Sequence, residues 1–205
     1  ERGHLAVTVR DGPRALEYFE KARNERDPFR VAHADAAWAA QSSELPAGLQ
    51  ALERAMTTIE KIEGPDHPRF ARLLQRRGWL QQKLRHHGPA QRDHRTALKS
   101  LRAAHGAEHA RVAEGLLALG WAELETDAAE DAVERFEEAL RIRDADSSDL
   151  VGRAEVRFAL SRALRQAGED RARSKRLAEE AAQLLAGAPG IDPVLSDAIA
   201  KWMAR

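Results

Sequence analysis

The sequence predicts an all-α superhelix in which antiparallel helix pairs stack in a row and one further helix caps the C-terminal end. The first observation is an internal repeat: aligning Gly64 with Gly106 also brings Gly78-Trp79 onto Gly120-Trp121. The second is that apolar residues recur at helical spacing between charged ones. The third is that the Gly-Pro breakers fall between these stretches. One pair cannot bury its apolar face alone, so such pairs stack into a solenoid.

The helix pairs follow one another at nearly constant intervals. Residues 15–26 have the character of a second helix, so the solenoid at residues 1–187 begins with a partial repeat. Four complete pairs are expected at about residues 28–65, 68–106, 110–147 and 149–187. Their helices are predicted at 29–43 with 47–63, 68–86 with 89–105, 110–126 with 129–144, and 149–167 with 170–186.

The C-terminal segment, residues 191–205, is predicted to form the capping helix. Asp192 suits the N-cap, and Pro193 suits the first turn, where a missing N–H leaves no hydrogen bond unmade. The apolar residues of this segment, including Ile199 and Trp202, recur on one helical face. That face is expected to close the end of the solenoid.

The turns between pairs carry a repeated motif, "GPDHP" at residues 64–68 and "GAEHA" at residues 106–110. We expect Gly64 and Pro65 to end one helix and Pro68 to occupy the first turn of the next. Asp66 or His67 would then be the N-cap of that helix. The motif is therefore interpreted as a turn with a capping residue.

The repeat that begins near residue 110 contains Leu116-x-x-Leu119-Gly120, Ala132-x-x-x-Phe136 and Ala139. This pattern resembles the tetratricopeptide repeat. Glu123 stands in the tyrosine slot of the pattern, and His94 stands in the phenylalanine slot of the preceding repeat. The spacing of about 42 residues is similar to that of the longer variety in kinesin light chains and many bacterial signalling proteins. The C-terminal stretch is also similar to repeat regions that follow serine/threonine kinase domains in myxobacteria.

Composition excludes several classes of protein. The chain has 33 Lys+Arg and 33 Asp+Glu residues, so its net charge predicts no general attraction to nucleic acid or to an anionic membrane. Cysteine is absent, which excludes disulfides and thiolate metal sites. No apolar run is long enough to span a membrane, and we expect a cytoplasmic protein. The arginine- and alanine-rich usage is typical of bacteria with GC-rich genomes. Because the chain starts at Glu1 and not at methionine, we expect it to be part of a longer polypeptide.

The histidines are the obvious candidates for metal binding. His105 and His109 have the i, i+4 spacing of a helical metal site, but Gly106 interrupts the helix between them. We interpret them, with His67 and His94, as capping, turn and packing residues. The sequence contains neither a nucleophile elbow nor a phosphate-binding glycine loop. We therefore expect no enzyme activity, no cofactor, no metal and no small-molecule substrate.

Charge is distributed unevenly along the chain. Residues 69–111 contain 11 Lys/Arg and 2 Asp/Glu, a net charge of +9, whereas residues 112–149 contain 3 and 12, a net charge of −9. The two repeats could face and neutralise each other, in which case exposed pairs contribute about 0–1 kcal/mol each. Alternatively, they form a bipolar surface that orients a charged partner. Nucleic acid is an unlikely partner.

Three tryptophans occupy corresponding positions of successive first helices. They are Trp38, Trp79 and Trp121, and the fourth pair has Arg162 in this place. By the resemblance, this face of the first helices lines a concave groove, and tryptophan and arginine are the residues most enriched in binding hot spots. The alternative is that each indole packs between repeats as part of the core. The other groove residues predicted on this face are Gln75, Gln82, Lys83, Leu117, Leu124, Phe158 and Arg165.

These observations predict a non-catalytic interaction module that binds a peptide or a helix of a partner protein in its concave groove. Two alternatives remain open at the level of sequence. The segment could pack in cis on a catalytic domain, such as a kinase, of a larger polypeptide, or it could mediate self-association.

Overall fold

The computed structural model describes residues 44–187 and 193–204. Regular structure in these residues is entirely helical, which confirms the predicted all-α class. The helices are α1 (Leu45–Glu63), α2 (Pro68–Lys83), α3 (His87–His105), α4 (Ala110–Leu124), α5 (Ala129–Asp144), α6 (Leu150–Gln166), α7 (Arg171–Ala186) and α8 (Pro193–Met203). The predicted helices at 15–26 and 29–43, the N-cap Asp192 and Trp38 lie outside the described residues.

The helices pack in pairs, α2 with α3, α4 with α5 and α6 with α7, and each pair also contacts the next through α3 with α4 and α5 with α6. In addition, α2 contacts α4, and α4 contacts α6. The first helices of successive pairs therefore form one continuous layer. This arrangement is the predicted superhelix of stacked pairs.

The turn motif between pairs behaves as the sequence predicts. Gly64 ends α1 with a φ of 86°, and Gly106 ends α3 with a φ of 83°, values at which a side chain would be strained. Nδ1 of His67 accepts a hydrogen bond from the backbone N–H of Arg69 at 3.2 Å, and the same bond recurs at His109. Both histidines are therefore N-caps, each satisfying one of the unpaired donors of a first turn.

The first helix of each pair ends earlier than the sequence predicts. The predicted end of α2 is residue 86, and the helix ends at Lys83. The reason is a left-handed residue, Arg85, with a φ of 64°, which allows the N–H of His86 to donate to the carbonyl of Gln81 at 2.8 Å. The same turn recurs at Asp127 and at Gly168. Two of the three turns thus use a residue other than glycine in the conformation that ends a helix.

Within each pair, the two helices approach closely at one position of the first helix. A Cβ atom placed on Gly120 would lie 2.5 Å from Cε1 of Phe136, and one placed on Gly78 would lie 2.6 Å from Cε1 of His94. The rings of Phe136 and His94, which are buried, therefore rest directly on the backbone of the neighbouring helix. The corresponding position of the third pair is Ser161.

Ser161 and Ser174 join α6 to α7 by a reciprocal pair of hydrogen bonds. The hydroxyl of Ser161 donates to the carbonyl of Ser174 at 2.7 Å, and the hydroxyl of Ser174 donates to the carbonyl of Ser161 at 2.8 Å. Both serines are buried. The third pair therefore reaches the same close approach with paired polar groups in place of glycine and a ring.

The C-terminal helix α8 packs on α7 and covers the end of the core. Ile199 is buried in a cluster with Phe158 of α6 and Leu185 of α7. Trp202 meets Phe158 edge to face, with a centroid distance of 6.2 Å. This helix thus occupies the capping place predicted for it.

We expect Gly120→Ala to destabilise the protein by about 1–3 kcal/mol, because the added methyl group forces Phe136 or the α4 backbone to move. The free energy of unfolding can be measured by urea denaturation. Gly88→Ala is the matched control, since the nearest atom to its Cβ is 3.7 Å away, and we expect it to leave stability unchanged or slightly higher. Equal stability of the two variants would contradict the close approach.

Candidate partner-binding cleft

A cleft of about 660 Å³ opens between the first helices α2 and α4. Its walls come from these two helices, while α1 and α3 contribute one residue each to the base. Its lining residues are Leu52, Arg72, Gln75, Arg76, Trp79, Leu80, Gln82, Lys83, His94, Ala118, Trp121 and Glu125. Apolar surface beside a small number of polar groups is the usual make-up of a binding site.

Trp79 is the most accessible large apolar group of the cleft. Trp79 is 49% exposed, which is high for an indole. The ammonium of Lys83, one helical turn later, lies 5.2 Å from the centroid of the ring. At this distance the cation is attracted to the π face of the ring. Trp79 is therefore a surface residue of the cleft and does not pack between repeats as part of the core.

Trp121 combines the two roles that the sequence left as alternatives. It packs edge to face on Phe136, with a centroid distance of 5.5 Å, and belongs to the rim of the main hydrophobic core. It is nevertheless partly exposed and lines the cleft. The guanidinium of Arg162, from the next pair, lies 4.8 Å from the ring centroid. Trp121 thus links the core, the cleft and the following repeat.

A chain of polar contacts runs from the buried base of the cleft to its surface. His94 is 1% exposed, and its Nε2 donates to Oε1 of Gln82 at 2.8 Å. Gln82 in turn donates to Oε2 of Glu125 at 3.2 Å, and Nδ1 of His87 lies 3.4 Å from the same oxygen. Nδ1 of His94 is buried without a hydrogen-bond partner. Because burial opposes the charged form, the pKa of His94 is lowered to about 4, so the ring is neutral at pH 7.

Basic residues line the α2 side of the cleft. Arg72, Arg76 and Lys83 are all exposed there, on the helix that carries Trp79. Partial desolvation of its side chain and the nearby charge of Arg72 lower the pKa of Arg76. Glu125 lies at the end of α4 on the opposite side. The cleft therefore has a basic side and an acidic group opposite it, in addition to two tryptophan side chains.

The structure brings together some of the predicted groove residues and separates others. Gln75, Trp79, Gln82, Lys83 and Trp121 all line the cleft. Arg162 lies against it on the ring of Trp121. Arg165 lies farther along α6, where its guanidinium is 5.0 Å from the ring centroid of Trp202.

Three predicted groove residues are instead buried. Leu117 and Leu124 belong to the main core, and Phe158 lies under α8, with exposed fractions of 5%, 6% and 5%. The prediction that they line the groove is wrong for these three residues, because they lie in the hydrophobic clusters and offer almost no surface to a partner. The physical reason is that other helices cover this part of the helical face: neighbouring pairs cover the two leucines, and α8 covers Phe158.

Sequence reasoning missed two parts of this surface. Arg72 and Arg76 form a stripe with Trp79 and Lys83 at helical spacing, a signal that the sequence does contain. Trp202 follows Arg162 by 40 residues, close to the repeat length, and its ring lies 5.0 Å from the guanidinium of Arg165 on α6. An arginine and a tryptophan therefore also meet between α6 and the capping helix.

In the described part of the chain, no group of three or more His, Asp or Glu side chains converges in a way that could hold a metal ion. Among the described helices, none combines the length and apolar character that crossing a bilayer requires.

Comparison with solved structures establishes the type of fold. No protein-family model matches the sequence, and no curated protein matches it. The crystal structure of BtubC (BKLC) from P. vanneervenii is similar, with a TM-score of 0.75 and 19% identity over 87% of this chain and 73% of that one. The TPR-like repeats of a putative kinesin light chain from Podosopora anserina give a TM-score of 0.68 and 17% identity, over 85% and 87%. The chain therefore has a tetratricopeptide-like repeat fold, which confirms the resemblance carried by its motifs.

We expect the free energy of unfolding to decrease as the pH is lowered, because His94 becomes protonated more readily in the unfolded chain. The unfolded chain takes up this proton near pH 6.5 and the folded protein only near pH 4, so acid favours unfolding between these values. His94→Phe, which copies the Phe136 arrangement, removes this dependence. Between pH 7 and pH 5, the wild-type free energy of unfolding should fall by about 2 kcal/mol more than that of the variant. Parallel pH profiles in urea denaturation would show that His94 is not the buried titrating group.

Proposed function

We propose that the chain is a non-catalytic interaction module that binds a peptide or a helix of a partner protein across the cleft between α2 and α4. The supporting observation is the half-exposed indole of Trp79, which lies with Trp121 in one apolar cleft bordered by charged groups. Tetratricopeptide-like arrays are generally scaffolds and not catalysts, which agrees with this proposal.

The two tryptophans differ in what they can contribute to binding. Trp79 offers an open indole, and burial of such a group under a partner is a common source of hot-spot affinity. Trp121 is held by Phe136 and the core, so it supplies a rigid second wall. Little conformational freedom is lost when a partner meets walls of this kind, because they are already ordered.

The charged groups would set the orientation of the partner. Arg72, Arg76 and Lys83 lie on the α2 wall, and Glu125 lies on the α4 wall, where it accepts a hydrogen bond from Gln82. A bound segment that carries charge would therefore be favoured in one orientation across the cleft and opposed in the other. The two indoles and Ala118 offer apolar surface for an aliphatic or aromatic side chain of that segment, and the buried Leu52 and Leu80 lie beneath them.

A peptide-display library selected on the wild-type protein provides the test, because it requires no knowledge of the natural partner. We expect Trp79→Ala to weaken binding of the selected peptides by at least about 30-fold, equivalent to about 2 kcal/mol. Its thermal unfolding should remain close to wild type, since the side chain is half exposed. Affinity can be measured by isothermal calorimetry and folding by circular dichroism.

Ile62→Ala is the matched control, since Ile62 is also exposed but does not line the cleft. We expect it to bind the same peptides as the wild type. Equal affinities for Trp79→Ala and Ile62→Ala would argue against the cleft as the binding site. Unfolding of Trp79→Ala would show instead that its indole is a core residue. Trp121→Ala is less informative alone, because it also removes the contact with Phe136.

A further inference from the structure

We propose that the second helices α3 and α5 form an outer surface that binds a second copy of this chain. The basic stripe of this surface is defined by Arg92, Arg95 and Lys99 of α3. The acidic stripe is defined by Glu130, Asp131 and Glu134 of α5. All six side chains are exposed, and none of them lines the cleft, so the proposal is independent of the proposed function.

The charges of these two repeats neutralise each other only in part. Ion pairs join Arg102 to Glu138, at 2.5 Å, and Arg141 to Glu108. These pairs lie toward the C-terminal ends of α3 and α5. In the described part of the chain, no ion pair connects the basic stripe with the acidic stripe. The net charges of +9 and −9 in residues 69–111 and 112–149 therefore leave two unlike stripes exposed side by side.

The arrangement of the stripes is self-complementary. Arg92 is the sixth residue of α3 and Glu134 is the sixth residue of α5, so corresponding positions of neighbouring repeats carry opposite charge. A two-fold axis between α3 and α5 would place the basic stripe of each copy against the acidic stripe of the other copy. In such an isologous contact, each charged residue takes part once from each copy, and the symmetry closes the assembly as a dimer.

A second copy fits this surface better than a polyanion does. A nucleic acid would be attracted by the basic stripe but repelled by the acidic stripe beside it. A second copy meets both stripes with the opposite charge and leaves the net charge of the assembly at zero. Since the contact consists largely of exposed charges, salt should weaken it strongly.

The test is sedimentation velocity of the chain at about 20 mM and about 500 mM salt, where the screening length differs several-fold. We expect a dimer at low salt and a monomer at high salt. Arg92→Glu with Lys99→Glu should raise the dimer dissociation constant at least about tenfold, and so should Glu130→Lys with Glu134→Lys. Arg95 and Asp131 are left unchanged to limit the change in charge around the buried carboxyl of Glu123, on which Glu134 also acts.

Combining all four reversals in one chain gives the decisive variant. Its net charge is again zero, and its two stripes are exchanged, so we expect it to dimerise as the wild type does. It should not form mixed dimers with the wild type, because like charges would then face each other. Circular dichroism checks that every variant is folded.

Lys175→Glu with Arg176→Glu on α7 is the matched control. It changes the net charge as much as the reversals on α3, but lies outside the two stripes, and we expect dimerisation to persist. A wild-type monomer at low salt would overturn the proposal. So would equal loss of dimer in this control, or failure of the fourfold variant to restore it while remaining folded.

Discussion

The two helices of a pair can approach closely only where one of them presents almost no side chain, and the rest of the structure depends on that contact. Gly78 and Gly120 satisfy this requirement by lacking a Cβ atom, and a buried ring from the second helix rests on each of them. Ser161 satisfies it differently, by exchanging hydrogen bonds with Ser174. Close packing of this kind has little tolerance for added volume, so each pair behaves as a defined unit that can be stacked.

The chemistry of that contact also determines the nature of the cleft. Where the ring is Phe136, the contact is wholly apolar and supports Trp121. Where the ring is His94, a ring nitrogen needs a hydrogen-bond partner, and Gln82 accepts this hydrogen bond from within the cleft. The polar chain that continues to Glu125 thus follows from placing a histidine in a phenylalanine slot. One substitution in the core of a repeat has therefore changed the surface that the repeat presents.

Much of the fold can be predicted from the sequence because its signals are local and repeated. Glycine and histidine at fixed intervals mark the turns between pairs, and apolar spacing marks the helices. The turn at Arg85 could not be predicted, since its left-handed backbone occurs at a residue type that rarely adopts it and not at a glycine. The site is less predictable for a related reason. Leu117, at the edge of a helical face, is covered or exposed according to the rotation between successive pairs, and that rotation is a property of the assembled superhelix.

Because Trp79 and Trp121 have unequal surroundings, their fluorescence should respond to a molecule that binds in the cleft. Indole emission shifts to longer wavelength in water and to shorter wavelength in apolar surroundings, and it is sensitive to nearby charged groups. Trp79 is half open to solvent beside Lys83, whereas Trp121 lies between Phe136 and Arg162. A molecule that fills the cleft would displace water from Trp79 and from the exposed part of Trp121. Occupancy of the cleft should therefore change the intrinsic tryptophan fluorescence of the chain, and no added label is needed to follow it.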